Sequence, residues 1–239
     1  MSDKKDIIPI DDIYDIYGEE QFIETYMFIK GYALAKDYQQ VLIALPVARR
    51  LHAGQKRKGG EPYFIHPLKV CNTLITHGVN DDNTLAAALL HDVLEDCMDK
   101  LPLGGKELLS EYRVSADVYH IITLLSKRSG IDEYELSLYF NEIKRDERAL
   151  MVKLADRLHN SNTLYIFSPD KMKKYIKETN DFILPLASYG INHYPEYTNV
   201  ISGLKNSIYS MNNAMRIMEE RFETELQKKD EEIAKLKQK

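Results

Sequence analysis

The hydrophobic positions of the chain recur mostly at the three- and four-residue spacing of amphipathic helices. The alternation that is typical of half-buried strands is scarce, and Asn-Gly and Asp-Gly hairpin turns are missing. The pattern therefore predicts an all-α protein. The predicted helices cover about 21–35, 39–53, 64–77, 81–97, 105–112, 115–127, 131–144, 146–160, 171–189 and 196–235.

Breaks between these segments suggest how the chain is organised. We expect an N-terminal extension over 1–35, one helical domain over 36–190 and a helical C-terminal extension over 191–239. A loose heptad in the last segment is interrupted by Lys229 and is weak as a coiled-coil signal. A solvated helix is the plainer interpretation, and the terminal helices are the candidates for a contact between copies of the chain.

Composition excludes several functional classes. The chain has 239 residues, 44% of them hydrophobic and 29% charged, which is typical of a soluble globular protein with a sizeable core. A net charge of -5 with interspersed signs argues against a nucleic-acid partner. No signal peptide or membrane-spanning run is evident, and Cys71 and Cys97 give no disulfide framework. We therefore expect a cytoplasmic protein without a membrane partner.

The clearest chemical signal lies in the predicted helix 81–97. The apolar run 84–90 is followed by His91, Asp92, Glu95 and Asp96, which would share one side of a continuous helix. Three carboxylates on a face that enters a core are very costly unless a cation or another partner compensates them. The arrangement therefore predicts a cation at this position.

Two further residues complete a candidate ligand set. His66 stands before a proline, and Asp156 begins a polar stripe that continues with Asn160 and Thr163 at i+4 and i+7. Each has a plain structural explanation when taken alone. Together with His91 and Asp92 they supply two imidazoles and two carboxylates, which suit a borderline-to-hard divalent metal such as Fe²⁺, Co²⁺ or Zn²⁺.

Four protein ligands on a six-coordinate ion would leave positions open for water and substrate, as a catalytic site requires. Glu95 and Asp96 could accept a proton, and Asn160 could hold a water molecule. The glycine-flanked loop 54–62 adds Arg57 and Lys58. Alone this loop would be a solvated basic segment, but beside a metal it favours a phosphorylated substrate.

Four motifs carry a resemblance to a known family. They are His-Ala-Gly-Gln-Lys-Arg-Lys-Gly-Gly-Glu-Pro-Tyr-Phe-Ile-His-Pro at 52–67, Ala-Leu-Leu-His-Asp-Val-Leu-Glu-Asp at 88–96, Lys-Leu-Ala-Asp-Arg-Leu-His-Asn at 153–160, and Glu-Thr at 178–179 with Pro-Leu-Ala at 185–187. From about residue 39 to 190 the chain resembles the HD-domain metal-dependent phosphohydrolases, and more closely the alarmone hydrolase domain of the RelA/SpoT homologue family.

The resemblance implies a helical bundle around one Mn²⁺ ion and hydrolysis of the 3′-pyrophosphate of guanosine tetra- or pentaphosphate to GDP or GTP and pyrophosphate. It also implies specific residue roles. The metal ligands would be His66, His91, Asp92 and Asp156, the catalytic residues Glu95, Asp96 and Asn160, and the substrate contacts Arg57, Lys58, Lys153, Asn160 and Thr163.

Departures from the family pattern leave alternatives open. The family's synthetase domain is missing from this sequence, which suggests a stand-alone small alarmone hydrolase. Ser188-Tyr189 and Leu124-Leu125-Ser126-Lys127 differ from the family's usual residues and could bear on substrate choice. The alternatives are hydrolysis of an adenosine alarmone or of the 2′-phosphate of NADPH, and a non-catalytic alarmone sensor, although the intact ligand set and acidic pair favour an enzyme.

Overall fold

The computed structural model describes residues 20–128 and 130–237, so the expected extension over residues 1–19 lies outside the described part. Within that part the only extended pairing is an isolated bridge between Lys56 and Pro62, and the all-α prediction is confirmed. The helices are α1 (Glu20–Lys36), α2 (Gln39–Leu51), α3 (Ile65–Thr76), α4 (Asp82–Leu90), α5 (Val93–Asp96), α6 (Glu107–Ser110), α7 (Ala116–Leu125), α8 (Glu133–Ile143), α9 (Glu147–Ser161), α10 (Pro169–Glu178), α11 (Leu184–His193) and α12 (Thr198–Lys237).

Helix α4 forms the centre of the bundle. Every residue from 84 to 90 is buried, and the helix packs against α2, α3 and α7. A helix that is apolar on all sides is stable only inside a core. Its N-terminus is fixed by Asp81, whose carboxylate accepts a hydrogen bond from the Thr84 amide at 2.7 Å. Asp82 in turn accepts the Gln40 and Val41 amides of α2, at 2.8 and 2.9 Å, which ties the two helices together.

Helix α9 lies across the other side of the core, in contact with α3, α7, α11 and α12. Asp146 caps it by accepting the Arg148 and Ala149 amides at 2.9 and 3.1 Å. Burial alone would raise the pKa of Asp146, but these amides and the Arg148 guanidinium outweigh it and lower the pKa. The cap and the apolar face hold α9 in place, and with it the polar residues of its last two turns.

The predicted helix 171–189 is interrupted in the structure. Helix α10 ends at Glu178, a π-helical turn covers Thr179–Ile183, and α11 follows directly. Pro185 lies at the start of α11, where its ring and missing amide disfavour a regular α-helical turn immediately before it. The wider π turn accommodates this proline without ending the helical path.

Helix α12 confirms the helix predicted at 196–235 and carries an exposed apolar stripe in its second half. Phe222 and Leu226 are 67% and 64% exposed. A groove of about 520 Å³ lies between this stripe and the start of α10, and its apolar lining includes Met172, Met215 and Met218. A contact between copies at the terminal helices stays a prediction.

No helix in the described ranges combines the length and the apolar character that crossing a bilayer would need.

Candidate metal centre

The His-Asp pair lies at a break between two helices and not within one. Helix α4 ends at Leu90, and α5 begins at Val93, so the continuous helix predicted over 81–97 is wrong. The His91 and Asp92 backbones keep nearly helical torsion angles, with φ of -60° and -94°. The break turns both side chains toward the same cavity, and α5 follows with Glu95 and Asp96, which also line the cavity.

Three segments of the chain bring the four predicted ligands together. His66 lies in the first turn of α3, His91 and Asp92 follow α4, and Asp156 lies in α9. His66 Nε2 is 3.1 Å from His91 Nε2 and 3.3 Å from both Asp92 Oδ2 and Asp156 Oδ1. His91 Nε2 is 3.2 Å from Asp92 Oδ1 and 3.7 Å from Asp156 Oδ1.

This donor set fits a divalent metal. One donor atom each from His66, His91 and Asp92 lies within 4.8 Å of the others, and Asp156 joins through its contacts with both imidazoles. Neighbouring donors on an octahedral ion with bonds of about 2.1 Å stand about 3 Å apart. The observed separations therefore match those of ligands that converge on one ion.

The electrostatics of the cluster show strong mutual stabilisation of opposite charges. Burial alone would lower the pKa of His91, but Asp92 and Asp156 outweigh it and raise the pKa to about 10. The pKa of Asp92 is held well below its usual range chiefly by His91, against the opposing effect of burial. The pKa of Asp156 is also held well below its usual range, with Lys153 as the leading counter-charge. His91 and Lys153 thus already compensate these carboxylates, as a metal would.

Three of the four ligands are oriented here by neighbours outside the cluster. His91 Nδ1 lies 2.9 Å from the Ala88 carbonyl, which leaves Nε2 directed at the other ligands. The Tyr63 hydroxyl donates to Asp92 Oδ2 at 2.7 Å. Lys153 Nζ and Asn160 Nδ2 donate to the two oxygens of Asp156 at 3.0 and 2.5 Å. Such supporting hydrogen bonds fix ligand orientation in metal sites.

A cavity of about 300 Å³ opens beside the ligands. Its wall includes all four ligands and the predicted residues Glu95, Asp96, Lys153 and Asn160. The Glu95 carboxylate accepts the Lys127 amide at 2.5 Å, and burial raises the pKa of Glu95. Carboxylates and lysines thus line one polar cavity together.

The basic loop is only partly joined to this cavity. Arg57 Nη2 donates to Asn160 Oδ1 at 2.7 Å, next to the ligands. Lys58 instead lies over the Phe167 ring, at 4.8 Å from its centroid. Neither Arg57 nor Lys58 is among the residues of the cavity wall, and Arg57 reaches the site only through its contacts with Asn160 and His159. Thr163 is also outside that wall, because α9 ends at Ser161 and the predicted i+7 stripe does not continue.

Several residues near the site were not singled out by sequence reasoning. Tyr63 and His159 lie within the quoted motifs, three residues before His66 and three after Asp156, and helical spacing could have identified His159. Sequence reasoning gave the remaining wall residues no role, although Arg157 and Glu178 lie within motifs and Leu125 and Lys127 in a segment that departs from the family pattern. These wall residues are Leu125, Lys127, Arg157, Tyr175 and Glu178.

The chain is similar in sequence to a known family and to several known proteins. The pattern described as HD domain matches residues 44–189. The chain is 39% identical over 147 residues to a probable guanosine-3′,5′-bis(diphosphate) 3′-pyrophosphohydrolase of Synechocystis sp., covering 58% of this chain and 18% of that protein. It is 38% identical over 151 residues to the guanosine-3′,5′-bis(diphosphate) 3′-pyrophosphohydrolase of Aquifex aeolicus, covering 62% and 21%.

A probable GTP pyrophosphokinase of Mycobacterium leprae is 38% identical over 144 residues, covering 60% of this chain and 18% of that protein. The chain thus spans about a fifth of the length of these curated relatives.

Proposed function

Because the chain belongs to the HD-domain family, we propose that it hydrolyses the 3′-pyrophosphate of guanosine tetra- or pentaphosphate. The RelA/SpoT-type relatives confirm the family resemblance predicted from the motifs, and two of them are named as hydrolases of this substrate. The observation that carries the proposal is the convergence of His66, His91, Asp92 and Asp156 beside a cavity lined by lysines. Residues 36–190 would form the catalytic unit.

We propose that these four residues hold one divalent cation, and Mn²⁺ is the ion that the family resemblance suggests. When bound, such a cation supplies positive charge to the phosphates and lowers the pKa of water. The donor set of two imidazoles and two carboxylates supports this assignment, since it suits a transition-metal dication better than Ca²⁺.

The remaining residues would perform the proton transfer and the substrate positioning. Water oxygen bonds to the phosphorus attached to the 3′ oxygen, the bond between that phosphorus and the 3′ oxygen breaks, and the 3′ oxygen takes up a proton. Glu95 is placed at the cavity wall by the Lys127 amide, and burial raises its pKa, which favours it as the residue that exchanges a proton with water. Asp96, on the same wall, is the second candidate for this exchange.

Cationic side chains would hold the phosphates. Lys127 and Lys153 line the cavity beside the acidic groups, and burial lowers the pKa of Lys127. Arg57 and Asn160 are hydrogen-bonded to each other beside the proposed metal ligands and would contact the nucleotide there. The substrate roles of Lys58 and Thr163 remain predictions, because both side chains lie outside the cavity wall.

The test is product formation from guanosine tetraphosphate by the full chain with Mn²⁺, followed by anion-exchange chromatography. We expect GDP and pyrophosphate, and loss of both products when a chelator removes the metal. The adenosine alarmone and NADPH serve as competing substrates in parallel reactions. Binding of metal and alarmone without turnover of any of the three would refute the hydrolase and favour a sensor.

A further inference from the structure

His159 has no assigned role, yet it touches both a metal ligand and the basic loop. It lies on α9 one turn after Asp156. Its Nδ1 is 2.7 Å from His66 Nδ1 and 3.2 Å from Arg57 Nη1. The His66 and His159 rings lie 4.8 Å apart between centroids. One nitrogen of His159 therefore meets two different groups at hydrogen-bond distance.

The direction of these hydrogen bonds follows from the donors available. A guanidinium can only donate, so Nδ1 of His159 must accept from Arg57 and carries no hydrogen. If the contact between the two imidazoles is a hydrogen bond, His66 Nδ1 donates it, and it shares the single lone pair of His159 Nδ1 with Arg57. A neutral imidazole carries one N–H, so Nε2 of His66 keeps its lone pair. That Nε2 is the atom that faces His91, Asp92 and Asp156.

We infer that His159 is a positioning residue that holds His66 in the tautomer whose Nε2 can bind a cation. This inference rests on the proposed metal site. The role resembles that of the carbonyl or carboxylate that usually accepts the second N–H of a metal-binding histidine. Here an imidazole takes that place, and it can do so because Arg57 keeps its Nδ1 in the accepting form.

Arg57 supports a second ligand in the same way. Its Nη2 donates to Asn160 Oδ1, which fixes the Asn160 amide so that Nδ2 donates to Asp156 Oδ1. His66 and Asp156 are therefore both oriented by a neighbour that accepts a hydrogen bond from Arg57. Arg57, which the sequence predicts only as a substrate contact, thus also helps to orient two proposed metal ligands. A phosphate that binds Arg57 and breaks these hydrogen bonds would change the orientation of both His66 and Asp156.

The test compares the Mn²⁺ affinity of the full chain with that of His159→Ala and His159→Asn, measured by competition with a fluorescent chelator. We expect the alanine variant to bind Mn²⁺ about 10- to 100-fold more weakly. The asparagine variant places a carbonyl oxygen on the same carbon as the lost Nδ1, so it should regain most of the affinity. Leu158→Ala is the matched control, because Leu158 packs against the core one residue earlier on α9.

Each outcome decides the question. Unchanged Mn²⁺ affinity in His159→Ala overturns the inference, and so does an equal loss in the alanine and asparagine variants, which would indicate packing alone. A similar loss in Leu158→Ala also overturns it. A wild-type chain that binds no metal refutes the metal site together with the role of His159. A chain that binds Mn²⁺ but does not hydrolyse the alarmone refutes only the substrate, because affinity is measured without turnover.

Discussion

Glu178→Gln provides a quantitative test of the packing behind the metal centre. Arg157 is only 5% exposed, and its guanidinium donates to the Glu178 carboxylate and, at 3.3 Å, to the Thr179 hydroxyl. The Tyr175 ring centroid lies 4.1 Å from the guanidinium carbon. Replacing Glu178 with glutamine removes the carboxylate that pairs directly with the buried guanidinium. This arrangement joins α9, next to Asp156, to α10.

The expected cost follows from burial. Removing one partner of a buried pair costs about 3–5 kcal/mol, and the lower end applies because the Glu178 side chain is 26% exposed. A loss of about 3 kcal/mol lowers Tm by roughly 6–12 °C for a chain of this size. Glu142→Gln is the control, since Arg145 and Glu142 are 69% and 55% exposed and their pair should contribute under about 0.5 kcal/mol.

The stability that Glu178 contributes should decrease as the pH falls. Burial raises the pKa of Glu178, but Arg157 and Lys127 outweigh it and lower the pKa below its usual range. The stabilisation is therefore complete above the unfolded pKa of about 4.3 and is lost as pH falls through the lower folded pKa. Urea unfolding followed by circular dichroism should show the gap between wild type and Glu178→Gln narrowing below about pH 4. A cost no larger than that of Glu142→Gln, or a gap that is constant with pH, would refute this account.

Four further variants test the site and its scaffold. Asp92→Ala should abolish Mn²⁺ binding in calorimetry together with turnover, and wild-type activity would remove Asp92 from the ligands. Glu95→Gln should keep the metal and lower kcat by about 10²- to 10⁴-fold, whereas metal loss would make Glu95 a ligand. Tyr63→Phe deletes the 2.7 Å hydrogen bond to Asp92 and should weaken Mn²⁺ affinity about tenfold or more, and equal affinities would contradict that role. Gly190→Ala places a Cβ 3.0–3.1 Å from Ile201 and Leu150. This crowding should outweigh the gain of about 1 kcal/mol in helix propensity and lower Tm, and an unchanged or higher Tm would show that the neighbouring side chains relax.

The fold class and most helices could be predicted from the sequence because their signals are local. The apolar period placed α1, α3 and α9 within a residue or two of their observed bounds. The break at His91-Asp92 could not be predicted in this way. Its residues suit a helix, and only the convergence with His66 and Asp156 explains the different path. The π turn before Pro185 could not be predicted either, because the apolar residues keep a continuous helical period through it.

The candidate site shows the same division. Motif spacing predicted the proposed ligands and the acidic pair Glu95 and Asp96, and all of these residues line one cavity. Lys127 and Glu178 line the same cavity. Glu178 lies in a motif and Lys127 in a segment that departs from the family pattern, but neither signal indicated that these side chains reach the candidate metal centre. The placement of Lys58 against Phe167 depends on a tertiary contact that composition cannot reveal. Long-range packing thus decides which charged residues near the motifs face the cavity.

The distribution of the ligands along the chain has a consequence for the order of folding. His66 and His91 are 25 residues apart, while the contact between His66 and His159 spans 93 residues. Closing such long loops costs entropy before any contact compensates it, so local helices form earlier than this cluster. A nascent chain that has not yet reached α9 carries both imidazoles but lacks Asp156 and the partner of His66. High-affinity metal binding would therefore begin only when α9 docks, and metal uptake could report completion of the fold during synthesis.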